Sequence, residues 1–243
     1  MDCCIPQWDS KNLEHRDTTY EHPEVHATSF ERVKLSGGFL MGTEDIDCVA
    51  ADGEGPIREV VLSPFSIAPT TVTNEEFARF VDATKYQTDA EVFGWSFVFN
   101  QFISRKIAKT IQQVVTQTPW WWQVPEASWK QPEGADSDID DRPDHPVVHI
   151  SWNDAQAYCN WSSSRLPTEA EWEFAARGGL IQNRYPWGNN LTPEGQHKCN
   201  IWQGSFPAKN TLEDGYAGTA PAKSYEPNAY GIYNASGNVW EWC

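Results

Sequence analysis

Two early stretches of the chain mix apolar and polar residues in the manner of β-strands. They run from Val33 to Met41 and from Arg58 to Ile67. Both are rich in residues that favour strands, and turn-forming residues interrupt or follow them, at Gly37-Gly38 and in the loop from Asp52 to Pro56. The pattern therefore predicts two strands near the start of the folded part of the chain.

Further along, apolar residues recur at helical spacing behind residues that can cap a helix. Thr73 and Glu76 form a capping box in front of Phe77, Phe80 and Val81, which predicts a first helix. A second helix is predicted to end before Pro119, from the apolar positions Ile107, Ile111, Val114 and Val115.

Two more helices are predicted in the middle of the chain. Ser151 caps the third, whose inward residues are predicted to be Trp152, Ala155, Tyr158 and Cys159. The fourth has a capping box of Thr168 and Glu171, places Trp172, Ala175 and Ala176 on one face, and ends at Gly178.

Beyond Gly178 the chain changes to glycine, proline, asparagine and aromatic residues with little regular patterning. The whole predicts a mixed α+β domain with long loops. Residues 1–30 are polar and unpatterned and are predicted to be a flexible leader, followed by one domain over 31–243.

Composition narrows the range of functions. A net charge of −16 argues against nucleic acid as a partner, because phosphate backbones demand basic patches. No apolar run is long enough to span a membrane, and no apolar signal segment follows Met1. Acidic loops such as 136–141 are expected to be solvated faces, with calcium loops as the open alternative.

The histidines and cysteines offer few metal or redox motifs. Six cysteines in 243 residues do not make a disulfide scaffold, and the adjacent Cys3 and Cys4 rarely bridge each other without strain. No zinc spacing is present. His145 and His149 share a face if they lie in a strand, which allows a metal pair, but hydrogen-bonded structural histidines are the favoured interpretation.

Two motifs in a fixed order are the most specific signal. The first runs from Arg165 to Gly179, and the second is Gly237-Asn-Val-Trp-Glu-Trp242. The matching motifs between them and before them are Leu35 to Gly42, Phe93 to Phe99, Pro119-Trp-Trp121, Arg142 to His149, Tyr185 to Asn189 and Asn200 to Gly204. Over about residues 34–242 the chain resembles the formylglycine-generating enzyme (sulfatase-modifying factor) family, of the animal type.

The resemblance implies a fold related to C-type lectin-like domains and an oxidation chemistry. Family enzymes convert the cysteine of a Cys-x-Pro-x-Arg motif in unfolded sulfatases to formylglycine, with oxygen and a copper ion held by two cysteines. Neither cysteine has a counterpart up to Cys243, so no catalytic residue is assigned and the sequence is expected to be a truncated member. The alternative is the non-catalytic paralogue, which binds sulfatases and the active enzyme. A lumenal location in the endoplasmic reticulum and a homo- or heterodimer also follow from the resemblance.

Site residues are assigned from the same resemblance. It implies two structural calcium sites, the first formed by Asn200, Ile201, Asp214 and Tyr216, and the second by Asn234, Gly237, Val239 and Glu241. Oxygen ligands of this kind suit calcium, although Asp214 and Asn234 could instead cap turns. The implied peptide-binding wall consists of Ala90, Trp95, Ser96, Thr118 and Trp240. Trp95 departs from the aspartate of the animal enzyme and matches the inactive paralogue.

Overall fold

A computed structural model describes residues 30–243 of the chain. The predicted leader therefore lies outside the described residues except for its last position, and so do Cys3 and Cys4. The helices are α1 (Asn74–Thr84), α2 (Asp89–Phe93), α3 (Arg105–Ala108), α4 (Trp152–Trp161) and α5 (Glu169–Arg177). The strands are β1 (Val33–Met41), β2 (Arg58–Ile67), β3 (Trp95–Phe99), β4 (Trp121–Pro125), β5 (Gly204–Ser205) and β6 (Lys209–Asn210). In this part of the chain they form three antiparallel pairs, β1–β2, β3–β4 and β5–β6.

Strands β1 and β2 have the bounds that the sequence predicted, Val33 to Met41 and Arg58 to Ile67. One face of β1–β2 is covered by α5, whose Phe174 ring lies 5.3 Å from Phe39 and 6.3 Å from Phe65, measured between ring centroids. The helix is also tied to the end of β1 by polar bonds, since Glu173 accepts from the Gly42 amide and Arg177 donates to the Gly42 carbonyl. This packing fixes the position of the first sequence motif.

A second core lies between α1 and α4. It contains Phe77, Phe80, Val81, Trp129 and Tyr158, and the aromatic rings meet mostly edge to face. The predicted capping boxes at the starts of α1, α4 and α5 are all present. The inward position predicted for Trp152 is wrong: this first helical residue is 48% exposed, and the carboxylate of Asp154 is buried instead.

Asp154 joins three separate segments. One carboxylate oxygen accepts from the Tyr86 hydroxyl and from the Asp89 amide, at 2.9 and 3.0 Å. The other accepts from the Ser151 amide at 2.8 Å. Because Asp154 is completely buried, these bonds replace water that the carboxylate gives up on folding. The residue therefore connects the loop after α1 to the starts of α2 and α4.

The long helix predicted from Ile107 to Val115 is wrong. Only the short α3 forms, and the chain then extends so that Val114 makes a bridge to Trp122 on β4. Ile107 and Ile111 still contribute to an apolar cluster with Val98 and Val124 of the β3–β4 pair. The apolar residues of this segment therefore pack against the β3–β4 pair, which was not predicted, instead of forming one face of a long helix.

The remainder, from Gly178 onward, is loop-rich as predicted. Its order depends on side-chain amides that bond to the backbone. Asn228 is one example, because its amide donates to the carbonyls of Ala175 and Ala176 at the end of α5. Gly178 ends that helix with φ +56, and a Cβ there would lie 2.8 Å from the Asn228 side chain.

Candidate functional site

The last five residues of the second motif, Asn238 to Trp242, line an open groove of about 1840 Å³. The lining also includes an aromatic cluster formed by Phe99, Trp121, Trp202 and Phe206. Other lining residues come from α4 and α5 and include Cys159, Glu171 and Trp172. The groove thus lies where the two sequence motifs meet, and its size suits an extended chain segment better than a small molecule.

Three consecutive residues define the groove's edge. Trp240 is 79% exposed and is the most accessible tryptophan of the motif. Trp242 donates from its indole N–H to the Ile150 carbonyl at 2.9 Å, and Glu241 accepts from the Trp172 indole at 3.1 Å. Loss of hydration beside the surrounding protein atoms raises the pKa of the Glu241 carboxyl, and the Trp172 hydrogen bond partly opposes this effect. The Trp172 indole of α5 therefore holds the Glu241 carboxyl, while the Trp242 indole is bound to Ile150, just before α4.

The start of helix α5, which lines the groove, carries an ion pair. Arg165 binds both oxygens of Glu171, each at 2.6 Å, while Glu171 also completes the capping box with Thr168. Arg165 lowers the pKa of Glu171 to about 2. The helix start is thereby fixed with its carboxylate charged.

The five residues predicted to bind a peptide are not all in this groove. Trp240 lines it, whereas Ala90 is buried in α2 and lines a smaller pocket of about 460 Å³. Trp95 opens β3, and its ring lies 5.1 Å from that of Phe97. Thr118 belongs to the turn before β4, where its carbonyl accepts from the Trp121 amide. The peptide-binding role of these positions stays a prediction.

Ser96, the fifth of these residues, is held by His149. The histidine Nε2 lies 2.8 Å from the Pro132 carbonyl, which can only accept, so Nε2 carries the proton and Nδ1 accepts from the Ser96 hydroxyl at 2.8 Å. Burial lowers the pKa of His149, which agrees with a neutral ring. His145 bonds to Thr219. Both histidines are therefore hydrogen-bonded structural residues, the interpretation that the sequence favoured.

The residues predicted for the first calcium site lie together. Asp214 accepts from the amides of Ile201 and Tyr216, both at 3.0 Å. Asn200 is buried, and its amide nitrogen donates to the Gly218 carbonyl and to Asn238. Nearby, Tyr225 has a buried hydroxyl without a hydrogen-bond partner, and the Asp214 charge contributes to raising its pKa. Carboxylate, amide and carbonyl oxygens of this kind fit a hard cation.

The second predicted site contains an unpaired oxygen. The amide nitrogen of Asn234 donates to the carbonyls of Pro221 and Ala222, both at 3.1 Å, whereas its Oδ1 is buried and accepts no hydrogen bond. A buried acceptor without a partner costs about 1–3 kcal/mol, so a cation at this oxygen would remove a penalty. Gly237, Val239 and Glu241 follow at alternate positions. The unpaired Asn234 oxygen is of a type that suits a calcium ion, and the second site stays a prediction.

The described cysteines are thiols that do not bridge one another. Cys159 and Cys199 are buried, and burial raises the pKa of both thiols, that of Cys199 to about 11. Cys243 is exposed and Cys48 is half-buried. Over residues 30–243, no group of three or more histidine, cysteine and acidic side chains could hold a metal ion. No copper site is assigned to these residues.

Comparison with solved structures defines the class of fold. PvdO from Pseudomonas aeruginosa is 27% identical, covers 87% of this chain and 69% of its own, and has a TM-score of 0.54. Treponema denticola variable protein 1, at 18% identity and a TM-score of 0.52, covers 92% of this chain and 75% of its own and supports the fold alone. The predicted α+β, loop-rich fold of the formylglycine-generating enzymes is confirmed.

Sequence comparison then places the chain within that class. The sequence profile of the family described as sulfatase-modifying factor enzyme 1-like domain matches residues 19–243. Formylglycine-generating enzyme of Thermomonospora curvata is 60% identical over 87% of this chain and 70% of its own length, and that of Bos taurus is 54% identical over 85% and 55%. The mouse inactive C-alpha-formylglycine-generating enzyme 2 is 51% identical over 89% and 69%. The chain belongs to the formylglycine-generating enzyme (sulfatase-modifying factor) family, as predicted.

The chain spans little more than half the length of the bovine relative and about 70% of the bacterial one. Among the described residues, no helix is both long and apolar enough to cross a membrane. Sequence reasoning missed Asp154, which organises the elements beside the site, and Asn238, which lies between proposed calcium ligands. An acidic residue three positions after the capping Ser151 was the available signal for Asp154.

Proposed function

We propose that this chain is part of a protein that activates sulfatases by oxidising the cysteine of a Cys-x-Pro-x-Arg segment to formylglycine. The observation that carries the proposal is sequence identity to two proteins named formylglycine-generating enzyme. The identity is 60% to the protein of Thermomonospora curvata and 54% to that of Bos taurus, over 87% and 85% of this chain. The open groove beside Trp240 agrees with an unfolded polypeptide as substrate. The net charge of −16 also favours a segment that carries arginine.

Oxidation of a thiol to an aldehyde needs molecular oxygen and, from the resemblance, copper bound by two cysteines. Copper(I) prefers thiolate ligands. Burial raises the pKa of Cys159 and Cys199, which disfavours the thiolate form of both, and we assign no step through copper to the described residues. Their part in the proposal is to bind and align the substrate segment along the groove.

The direct test uses the full-length protein, air and a synthetic peptide that contains Cys-x-Pro-x-Arg. We expect a product that reacts with a hydrazide probe and whose mass reports the exchange of the thiol for an aldehyde oxygen. A peptide with serine in place of the cysteine is the control. A protein that binds the cysteine peptide but never produces the aldehyde would contradict the enzymatic proposal.

The second candidate is a non-catalytic binding protein for sulfatases and for the active enzyme. It is supported by 51% identity to the mouse inactive relative and by Trp95, which stands where the resemblance places an aspartate in the animal enzyme. The substitution Trp95→Asp is expected to strengthen binding of the arginine-containing peptide relative to a peptide with alanine instead. Trp95→Phe, which adds no charge, is the matched control. Equal affinities of both variants for the two peptides would refute a role of position 95 in arginine recognition.

We also propose two structural calcium ions, at the sites of Asn200, Ile201, Asp214 and Tyr216 and of Asn234, Gly237, Val239 and Glu241. The buried, unpaired Oδ1 of Asn234 is the main support. Ligands that bind only the folded state stabilise it, so EGTA is expected to lower the melting temperature and added calcium to restore it. An unchanged melting temperature, together with no calcium by elemental analysis, would reject both sites.

A location in the lumen of the endoplasmic reticulum completes the proposal, with a homo- or heterodimer of family members as a further state. The sequence has three glycosylation acceptor motifs, at Asn160, Asn190 and Asn234, and Asn190 is the one that is exposed on a loop, since Asn160 lies in α4 and Asn234 is half-buried. In animal cells we expect a glycan at Asn190 that endoglycosidase H removes. Absence of the glycan from the mature protein would contradict the proposed route. Sedimentation of the purified protein tests the dimer.

A further inference from the structure

In the sequence, Asn238 stands between Gly237 and Val239, two proposed ligands of the second calcium site, but it is hydrogen-bonded to Asn200 of the first site. The backbone N–H of Asn238 donates to the backbone carbonyl of Asn200 at 2.8 Å. Asn200 belongs to the first site. A single residue thus links the two groups of ligands.

The link is reciprocal. The side-chain amide of Asn200 donates one hydrogen to the Asn238 Oδ1 at 3.1 Å and the other to the Gly218 carbonyl at 2.7 Å. Both hydrogens of that amide are therefore committed, and the Oδ1 of Asn200 is the atom left for a cation. The orientation of one proposed ligand is consequently set by a residue next to the other site.

The same side chain organises the loop that both sites share. Asn238 Oδ1 accepts from the Ala220 amide at 2.8 Å, and its Nδ2 donates to the Ala220 carbonyl at 3.1 Å. Immediately afterwards in this loop, Asn234 holds the carbonyls of Pro221 and Ala222. Residues 218–222 are thus held from the first site at one end and from the second site at the other.

The two backbones are also in direct contact. A Cβ on Gly237 would lie 2.5 Å from the Asn200 carbonyl oxygen and 2.9 Å from an Ile201 side-chain carbon. The absence of a side chain at Gly237 thus lets its backbone lie directly against the segment of Asn200 and Ile201. This close packing is the second connection between the two groups of ligands.

We propose that Asn238 couples the two cation sites, so that a calcium ion at one site raises the affinity of the other. The inference rests on the calcium sites proposed above. A first ion orders the loop of residues 218–222 and the Asn200–Asn238 pair, and the second ion then binds to a site that is already arranged. Because coupling between sites is reciprocal, either ion has the same effect on its partner.

The experiment is a calcium titration of the metal-free, full-length protein by calorimetry, with native mass spectrometry to count the bound ions. In the unmodified protein we expect two ions to bind cooperatively, with the singly loaded form scarcely populated and about fivefold or greater coupling between the sites. Asn238→Gly removes the side chain but tolerates φ +66. We expect this variant to bind two ions with less than about twofold coupling.

Glu194→Gly is the matched control, because Glu194 is an exposed residue with φ +53 in a different loop. It is expected to retain the cooperativity. Two ions that bind independently in the unmodified protein would overturn the coupling while leaving the calcium proposal intact; no bound calcium would reject both.

Should Asn238→Gly fail to fold, the two sites can be disabled one at a time. Asp214→Asn weakens the first site and Glu241→Gln the second. Coupling predicts that each variant also lowers the affinity of the site that it leaves untouched, by the same factor of about five or more. An unchanged affinity at the untouched sites would overturn the inference.

Discussion

Replacement of the buried Asp154 by alanine is expected to be strongly destabilising. The carboxylate accepts from the Tyr86 hydroxyl and from the amides of Asp89 and Ser151, at 2.8–3.0 Å. Alanine removes this acceptor from all three donors, at a position that is completely buried. The segments that they belong to would lose their common attachment point.

The magnitude follows from two opposed contributions. Each lost hydrogen bond to a charged group costs about 1.5–3 kcal/mol, so the loss of three costs about 6 kcal/mol. Against this, alanine removes a carboxylate whose pKa is raised chiefly by burial, which shows that the charged form is disfavoured there, and this offset is on the order of 2 kcal/mol. The net loss of unfolding free energy is about 4 kcal/mol. At about 3 °C per kcal/mol for a chain of this size, the melting temperature falls by about 12 °C.

The measurement is urea unfolding of the full-length protein, followed by tryptophan fluorescence and by far-ultraviolet circular dichroism. Tyr86→Phe removes only one of the three donors and is expected to cost about 1 kcal/mol. Asp82→Ala, on the exposed side of α1, is the matched control and should change stability by less than about 0.5 kcal/mol. A loss below about 1 kcal/mol for Asp154→Ala would refute the reasoning, because the hydrogen bonds would then merely balance the burial of charge.

Three further predictions concern charge, backbone and thiols. Because Arg165 holds the pKa of Glu171 at about 2, below its ordinary value of 4.5, the pair stabilises the fold above pH 4.5 and this contribution is lost as the pH falls toward 2. Arg165→Gln should therefore reduce stability at pH 7 and flatten its decline in acid, and urea titrations with the same acid slope as the parent would contradict this. Gly178→Ala should cost about 2 kcal/mol, from its φ of +56 and a close contact at 2.8 Å, as calorimetry would show; a cost below about 0.5 kcal/mol would mean that the helix end relaxes freely. At pH 8, maleimide labelling with peptide mapping should find Cys48 modified well before the buried Cys199, whose pKa is about 11, and equal rates would show that the loops open readily.

What the sequence predicted correctly depended on local signals. Each capping box involves residues three apart, so Thr73 and Thr168 mark helix starts whatever packs against them. The strands β1 and β2 follow from their own composition for the same reason. Thr88 and Glu91 form a capping box of the same kind in front of α2, a signal that was present but not used.

What failed depended on contacts between distant residues. Ile107 and Val114 have helical spacing, but the β3–β4 pair offers the segment after α3 a strand to bridge, and tertiary packing overrides the local preference. Trp152 was placed inward by its spacing, whereas the first turn of α4 buries the Asp154 carboxylate, whose partners come from other segments, and leaves Trp152 exposed. The candidate calcium residues came from resemblance, and no local rule predicts that Asn200 and Asn238 bond to each other across 38 positions.

The amide side chains that hold the loop-rich part of the fold also set how it ages. Asn200, Asn228 and Asn234 each direct both hydrogens of their NH₂ group at protein oxygen atoms, and in the last two these are backbone carbonyls alone. Spontaneous deamidation replaces that group by a negatively charged oxygen, which would then face the same acceptors and repel them. Slow chemical change in storage should therefore loosen the loops while α1, α4 and the strands remain intact. Peptide mapping of aged protein against its melting curve would follow this decay, in which the shelf life is limited by hydrolysis of a few amides.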